Sequence, residues 1–138
     1  MQLKTLTYTS RARLDLTSQD LSDIHESARH FNALEGITGL LIFNGVHFLQ
    51  MIEGSEAAID SLLGRLRLDD RHSAIEVRDE RLIEERSFPE WSMELCQVST
   101  DRFEARGEVE AVLPEGIVPM VRERILRMTA GMGEVRLG

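Results

Sequence analysis

The chain has 138 residues, of which 42% are hydrophobic and 29% charged, a balance that suits one folded domain. Its net charge of −8 disfavours direct nucleic-acid binding, which depends on clustered Lys and Arg. The longest apolar-rich stretch, residues 37–43, is far shorter than the roughly 20 residues of a membrane span. The single cysteine, Cys96, cannot form an internal disulfide, which favours a reducing compartment. We therefore expect a cytoplasmic protein without membrane or direct nucleic-acid contacts.

Hydrophobic spacing predicts seven elements ahead of the C-terminal tail. Thr17 followed by Asp20 forms a capping-box pattern that begins the first helix, and Gly36 supplies its stop. Asn44 and Gly45 are a strong hairpin signal, because a type I′ turn needs two positive φ angles and this pair tolerates them best. The predicted strands are 2–9, 37–43, 46–53, 74–83 and 92–98, and the predicted helices are 18–34 and 54–69.

The order strand, helix, strand, strand, helix, strand, strand is that of a ferredoxin-like βαββαββ fold with one added strand. We expect an α+β sandwich with a five-stranded mixed sheet and both long helices on one face. The other face needs a cover, and the tail can supply it as two helices divided by Pro114 and Pro119. This predicts one domain over residues 1–98 and a C-terminal helical extension over residues 99–138.

Three polar side chains do not fit a plain apolar core. Strict alternation places Gln50 in a row with Phe48, and Tyr8 lies on the strand expected beside it, so a Tyr8 to Gln50 hydrogen bond follows from the topology. Asn32 ends a helical stripe in which the small Ala28 leaves room. Nearby backbone could satisfy Gln50, and Asn32 could be a solvated or capping residue. The same convergence suits a flat ligand with hydrogen-bonding edges.

Six short segments with distinctive residues follow one another along residues 2–98. They are Leu6-Thr-Tyr8-Thr-Ser10, Ala28-Arg-His-Phe-Asn32-Ala, Gly36-Ile-Thr-Gly-Leu-Leu41, Gly45-Val-His-Phe-Leu-Gln50-Met-Ile-Glu-Gly54, Asp69-Asp-Arg71-His72 and Phe88-Pro-Glu-Trp91-Ser-Met93. In order and spacing they resemble the BLUF domain, a blue-light sensor that uses flavin. The resemblance implies that the chain is a photoreceptor.

The resemblance implies a flavin bound non-covalently between the two long helices, with FAD favoured and FMN or riboflavin left open. Asn32 would bond the polar edge of the ring, and Ile24 and Phe48 would pack near it. The other implied cofactor-binding residues are Ser10, Gln50, Arg29, Arg71 and His72, the last three on the ribityl-phosphate side. Phe31 replaces a histidine found in some relatives, so we expect one polar contact with the flavin to be missing.

The resemblance also implies a photochemistry in which an electron and a proton pass from Tyr8 to the excited flavin and return with Gln50 rearranged. A phenol is an oxidisable donor, and an amide offers both a donor and an acceptor end. Trp91 and Met93 match a segment whose side chains compete for the place near the flavin and Gln50. Which of the two points inward stays open.

We expect a photoreceptor rather than an enzyme, because the sequence shows no nucleophile paired with a base, no metal-ligand spacing and no glycine-rich phosphate loop. The alternatives are a small ferredoxin-like enzyme and a light-insensitive interaction module.

Residues 99–138 are too few for a catalytic effector domain, so output by contact with an unknown downstream protein partner is expected. The tail also carries an apolar set that suggests a homo-oligomer, a dimer or larger. That set is Met120, Val121, Ile125, Leu126 and Met128.

Overall fold

The computed structural model describes residues 2–132, and the part of the predicted extension over 133–138 lies outside them. The elements follow the predicted order, with two helices in the tail. The strands are β1 (Leu3–Ala12), β2 (Thr38–Phe43), β3 (His47–Ser55), β4 (His72–Ile83) and β5 (Glu94–Gln97). The helices are α1 (Ser18–Glu35), α2 (Glu56–Arg67), α3 (Arg102–Val112) and α4 (Pro119–Ala130).

The predicted start and stop signals of α1 are confirmed. Thr17 Oγ1 accepts a hydrogen bond from the backbone N–H of Asp20 at 3.0 Å, and the Asp20 carboxylate accepts one from the backbone N–H of Thr17 at 2.9 Å. This reciprocal pair satisfies two N–H groups that a helix start leaves open. Gly36 ends the helix in the left-handed region, with φ of 69°. Local chemistry alone therefore sets both ends of α1.

The hairpin between β2 and β3 is confirmed, but the predicted turn type is wrong. Gly45 has a positive φ of 94°, whereas Asn44 does not. Instead, Asn44 Oδ1 accepts hydrogen bonds from the backbone N–H groups of Val46 at 3.0 Å and His47 at 2.7 Å. The asparagine therefore closes the turn with its side chain, so it does not need the left-handed backbone.

The strands form one mixed sheet in the order β4-β1-β3-β2-β5. β2 and β5 run parallel, and the other neighbouring strands run antiparallel. The pairing of β1 with β3 sets Tyr8 opposite Gln50. The pairing of β2 with β3 requires glycine at residue 39, because a Cβ on Gly39 would lie 2.1 Å from the backbone oxygen of Met51.

Each face of the sheet is covered by its own pair of helices. On one face, Leu21 of α1 and Ile59 of α2 pack against a core that includes Ile52 of β3. On the other face, Leu126 of α4 packs into a core that includes Leu40 of β2. The predicted ferredoxin-like α+β sandwich, with the tail helices on the far face, is confirmed.

β5 begins at Glu94, two residues later than predicted. The carbonyl oxygens of Ser92 and Met93 accept hydrogen bonds from Asn32 and His25, two side chains of α1. These two carbonyl groups are therefore hydrogen-bonded to side chains of α1, and the hydrogen-bonded ladder between β5 and β2 begins after them.

Candidate functional site

A cavity of about 200 Å³ lies between α1 and α2, above the sheet face that carries Tyr8 and Gln50. Seven predicted site residues line it: Tyr8, Ile24, Asn32, Phe48, Gln50, Arg71 and His72. Ala28 lines it as well, and this small side chain sits where the sequence predicted room beside α1. The remaining walls are Ser27, Phe31, Leu41, Leu62, Arg65, Leu66 and Asp69.

Tyr8 and Gln50 form a buried, hydrogen-bonded pair on the sheet side of the cavity. The Tyr8 hydroxyl donates to Gln50 Oε1, and Gln50 Nε2 donates to Met93 Sδ over 3.3 Å. The three residues are at most 4% exposed. The hydrogen bond expected from topology is therefore present, and it continues into a phenol, amide and thioether chain.

The ionisation of Tyr8 is suppressed by its surroundings. Burial raises the pKa of the Tyr8 phenol above its ordinary value of 10.0, and the negative charge of Asp69 raises it further. The protonated phenol is thus favoured even more than in an exposed tyrosine, and its O–H is available to donate to Gln50.

Asn32 is fully buried, and half of its amide lacks a partner. Its Nδ2 donates to the carbonyl oxygen of Ser92 at 3.0 Å. Its Oδ1 has no hydrogen-bond partner among the described residues. Leaving a buried acceptor unpaired costs about 1 to 3 kcal/mol, which a ligand N–H group would recover. A solvated asparagine, one of the alternatives left open above, is excluded by its 0% exposure.

Trp91 and Met93 lie on opposite sides of the sheet. Met93 is beside Gln50, whereas the Trp91 ring stacks on Phe88, with 5.3 Å between ring centroids, in the core under α3 and α4. Strand alternation does not relate the two side chains, because both residues precede β5. In this structure Met93 is the inward residue.

One end of the cavity is polar and internally bonded. Arg71 donates to the Asp69 carboxylate from Nε at 2.9 Å and Nη2 at 2.6 Å, which lowers the pKa of the Asp69 carboxyl group. His72 Nε2 donates to the carbonyl oxygen of Leu66 at 2.9 Å, so in the neutral ring Nδ1 accepts from the Ser10 hydroxyl at 2.8 Å. Ser10 thus lies behind His72 rather than on the cavity wall.

Of the two arginines that the sequence predicted at the cavity, Arg71 lines it and Arg29, which is exposed, does not. Arg65 lines it instead, with its guanidinium 5.3 Å from the centroid of the Phe31 ring. Sequence reasoning missed Arg65, because a charged residue on an amphipathic helix ordinarily indicates the solvated face. Phe31, 48% exposed, lies at the open edge of the cavity.

Glu53 is a second residue that sequence reasoning missed. Its carboxylate is 1% exposed and accepts hydrogen bonds from the backbone N–H groups of Ser87 at 2.8 Å and Phe88 at 2.6 Å, and from Thr38 Oγ1 at 3.0 Å. It ties the connection between β4 and β5, which carries Met93, to β3. The alternation that places Gln50 on one face of β3 also places Glu53 in the apolar row of the opposite face. The sequence therefore contained the information needed to predict a buried Glu53.

The cavity fits a flat ring with an N–H group. Pockets for drug-sized ligands measure about 300 to 1,000 Å³, so a smaller cavity holds a ring system and leaves the rest of a dinucleotide outside. The flavin ring carries an N–H between two carbonyl groups, which suits the unpaired Oδ1 of Asn32. Arg65 and Arg71 at the cavity suit an anionic substituent. No group of side chains that could hold a metal ion is found between residues 2 and 132.

Known proteins with similar sequences are light-regulated. The chain is 37% identical over 92 residues to the beta subunit of a photoactivated adenylate cyclase of Euglena gracilis, a match that covers 66% of this chain and 11% of that protein. It is 34% identical over 70 residues to the blue light- and temperature-regulated antirepressor BluF of Escherichia coli, covering 51% of this chain and 17% of the antirepressor. The chain thus spans a small part of these relatives.

A solved structure matches most of the chain. The dark-state structure of BlrB, a BLUF protein, superposes with a TM-score of 0.72 at 35% identity, covering 94% of this chain and 96% of BlrB. The family model described as sensors of blue light using FAD matches residues 3–94. Those residues include the Tyr8 to Gln50 pair, Met93 and every side chain that lines the cavity. The chain therefore belongs to the BLUF family of blue-light sensors that use FAD.

Proposed function

We propose that this chain senses blue light by binding FAD non-covalently between α1 and α2, with Tyr8 and Gln50 as its photoactive pair. The observation that carries the proposal is the buried Tyr8–Gln50–Met93 chain beside a cavity in which Asn32 Oδ1 lacks a partner. The proposal keeps the division predicted from the sequence, with the sensor over residues 1–98 and the extension over residues 99–138.

The residues that would hold the cofactor act at two ends of the cavity. Asn32 Oδ1 would accept from the ring N–H while Asn32 Nδ2 keeps its bond to Ser92, and Ile24 and Phe48 would flank the ring. At the polar end, Arg71 and His72 would meet the ribityl-phosphate side. Arg65 is a better placed partner for the phosphates than the predicted Arg29, since Arg65 lines the cavity.

When bound, the flavin supplies blue-light absorption and an excited ring that accepts an electron. Tyr8 is the donor in this proposal, because an oxidised phenol becomes strongly acidic and its proton already points at Gln50 Oε1. Gln50 can then rotate its amide and exchange its donor and acceptor ends. The bond from Gln50 to Met93 Sδ does not oppose this strongly, since a thioether is a weak acceptor.

The rearranged state is metastable. One hydrogen bond is worth about 0.5 to 1.5 kcal/mol, whereas inverting a 1:99 equilibrium takes about 5.5 kcal/mol. A changed Tyr8 to Gln50 contact therefore cannot hold the new state at equilibrium. The photon supplies the energy, and the dark state returns spontaneously.

The test is the absorption spectrum of the purified, flavin-loaded chain under blue light and during dark recovery. A reversible red shift is expected in the wild type and should be lost in Tyr8→Phe and in Gln50→Leu. Thr7→Val is the matched control, because residue 7 neighbours Tyr8 but faces the other side of the sheet. A normal reversible shift in both Tyr8→Phe and Gln50→Leu would refute the mechanism.

Output through contact with another chain, without catalysis by this one, completes the proposal. Ile125 and Leu126 of the predicted apolar set are buried against the sheet, and Met120 remains 69% exposed beside the exposed Val118. The exposed side chains of Val118 and Met120 support a contact surface for a second copy or a downstream protein. Light scattering of Met120→Glu and wild type, dark and lit, tests the homo-oligomer. A wild type that is monomeric in the dark and under light would refute the homo-oligomer.

The predicted cytoplasmic location stays part of the proposal. Cys96 is free and buried, in keeping with a reducing compartment. No helix between residues 2 and 132 is long and apolar enough to cross a bilayer. Fractionation of the cells that express the chain would test the location.

A further inference from the structure

His25 is a half-buried residue of α1 that does not line the cavity. It nevertheless contacts the segment of residues 91–93 that precedes β5. Its Nε2 lies 2.9 Å from the backbone carbonyl oxygen of Met93. A carbonyl oxygen can only accept a hydrogen bond, so His25 Nε2 carries a hydrogen atom and donates it. α1 is thereby bonded to the residue whose Sδ accepts from Gln50.

The contact belongs to a set that fixes three successive carbonyl groups. The carbonyl of Trp91 accepts from the backbone N–H of Gly39 at 2.9 Å, that of Ser92 from Asn32 at 3.0 Å and that of Met93 from His25. Ladder pairing with β2 begins only at Glu94. Side chains of α1 therefore hold the last two carbonyl groups before the strand.

We propose that His25 is a positioning residue for light sensing, which keeps Met93 beside Gln50 by holding the Met93 carbonyl. The inference rests on the proposed role of the Tyr8 to Gln50 pair. Because Met93 and Trp91 lie on opposite sides of the sheet, an exchange of their places requires the backbone between them to rotate. That rotation turns the Met93 carbonyl away from His25 and breaks their hydrogen bond.

Asn32 cannot replace this tether. It holds the neighbouring carbonyl of Ser92, but the same amide carries the unpaired Oδ1 atom that is proposed to bind the flavin. His25 binds the segment with a group that has no part in the cavity wall. The tether and the cofactor contact are thus separate, and each can be changed alone.

The chain has one tryptophan, so the emission of Trp91 reports the position of this segment without any need for light-induced chemistry. His25→Leu removes the donor, whereas His25→Gln retains an N–H donor on a flexible side chain. Glu26→Leu is the control for a leucine on α1, since Glu26 is exposed. All are measured with flavin bound, and far-UV circular dichroism checks folding.

In the dark, His25→Leu is expected to make Trp91 more accessible to acrylamide, because the indole leaves Phe88 in part of the population. Dark recovery after blue light is expected to slow by about two- to tenfold, the factor that one hydrogen bond contributes. His25→Gln should restore both values substantially, and Glu26→Leu should match the wild type.

Wild-type acrylamide quenching and recovery in His25→Leu would overturn the inference. So would a His25→Gln variant that behaves like His25→Leu, because the donor would then not be what matters. A wild type without any light-induced shift would refute the proposed function instead. The Trp91 measurement in darkness would still decide whether His25 positions the segment.

Discussion

The three central strands of the sheet present two different faces, one bordering a cavity and the other tightly packed. Under α1 and α2, the sheet borders a cavity of about 200 Å³, and its buried polar groups include Tyr8 and Gln50. Under α3 and α4, a void of only about 10 Å³ is lined almost wholly by apolar side chains. One face is built to admit a ligand, and the other is packed to hold the fold together. Stability and sensing should therefore respond to different substitutions.

The largest expected effect is on the packed face. Leu126 is 0% exposed, so Leu126→Ala should lower the free energy of unfolding by about 2 to 5 kcal/mol while the light-induced spectral shift persists in the folded fraction. Leu62→Ala, beside the cavity, should cost less in flavin-free protein because that side chain already borders open space. Urea unfolding measures both.

Leu68→Ala is the control for that pair, because Leu68 is 87% exposed and should change stability by less than about 0.5 kcal/mol. Equal losses for Leu126→Ala and Leu62→Ala would contradict the difference drawn between the two faces.

The next effect concerns Glu53, which ties the β4–β5 connection to β3. Glu53→Gln should lower the free energy of unfolding by about 1 to 3 kcal/mol, because an amide cannot accept at both of its ends and one buried N–H loses its partner. Urea unfolding measures the loss. Glu90→Gln, an exposed change in the same connection, serves as the control and should have little effect. If the two variants have the same free energy of unfolding, the Glu53 carboxylate does not stabilise the β4–β5 connection.

A smaller effect separates two buried oxygen atoms that lack partners, Asn32 Oδ1 at the cavity and Thr7 Oγ1 on the packed face. Asn32→Ala should weaken flavin binding by up to about tenfold, since one hydrogen bond is lost. Thr7→Val should leave flavin affinity unchanged and should not lower stability, because it replaces an unpaired buried hydroxyl with a methyl group of similar shape. Titration with flavin, followed by fluorescence, gives both affinities. Equal affinities for wild type and Asn32→Ala would remove Asn32 from the site.

The smallest expected signal is the ionisation of Tyr8, the one tyrosine of the chain. Burial raises the pKa of Tyr8 in the folded state, so its contribution to stability is complete below the unfolded pKa of about 10 and is lost as the pH rises above it. Tyrosinate absorption should therefore appear only with unfolding. Tyr8→Phe supplies the baseline. A tyrosinate signal from folded protein near pH 10 would contradict the burial argument.

Local patterns predicted much of this molecule. The capping box at Thr17, the glycine stop at Gly36 and the hairpin after β2 depend on residues a few positions apart, so the sequence displays them directly. Alternation along β3 also placed Gln50 toward the cavity, because successive strand side chains point to opposite faces. The order of elements then brought Tyr8 next to Gln50. These features follow from chain geometry and need no knowledge of packing.

Tertiary structure alone decided the inward residue and its supports. His25 and Met93 are 68 positions apart, and Asn32 and Ser92 are 60 apart, so no local pattern relates them. Met93 points inward because these side chains bind carbonyl groups ahead of β5, where strand alternation does not apply. Arg65 became a cavity residue because α2 places it beside Phe31 of α1 at the cavity. Such contacts depend on how elements meet in space, which a one-dimensional pattern does not record.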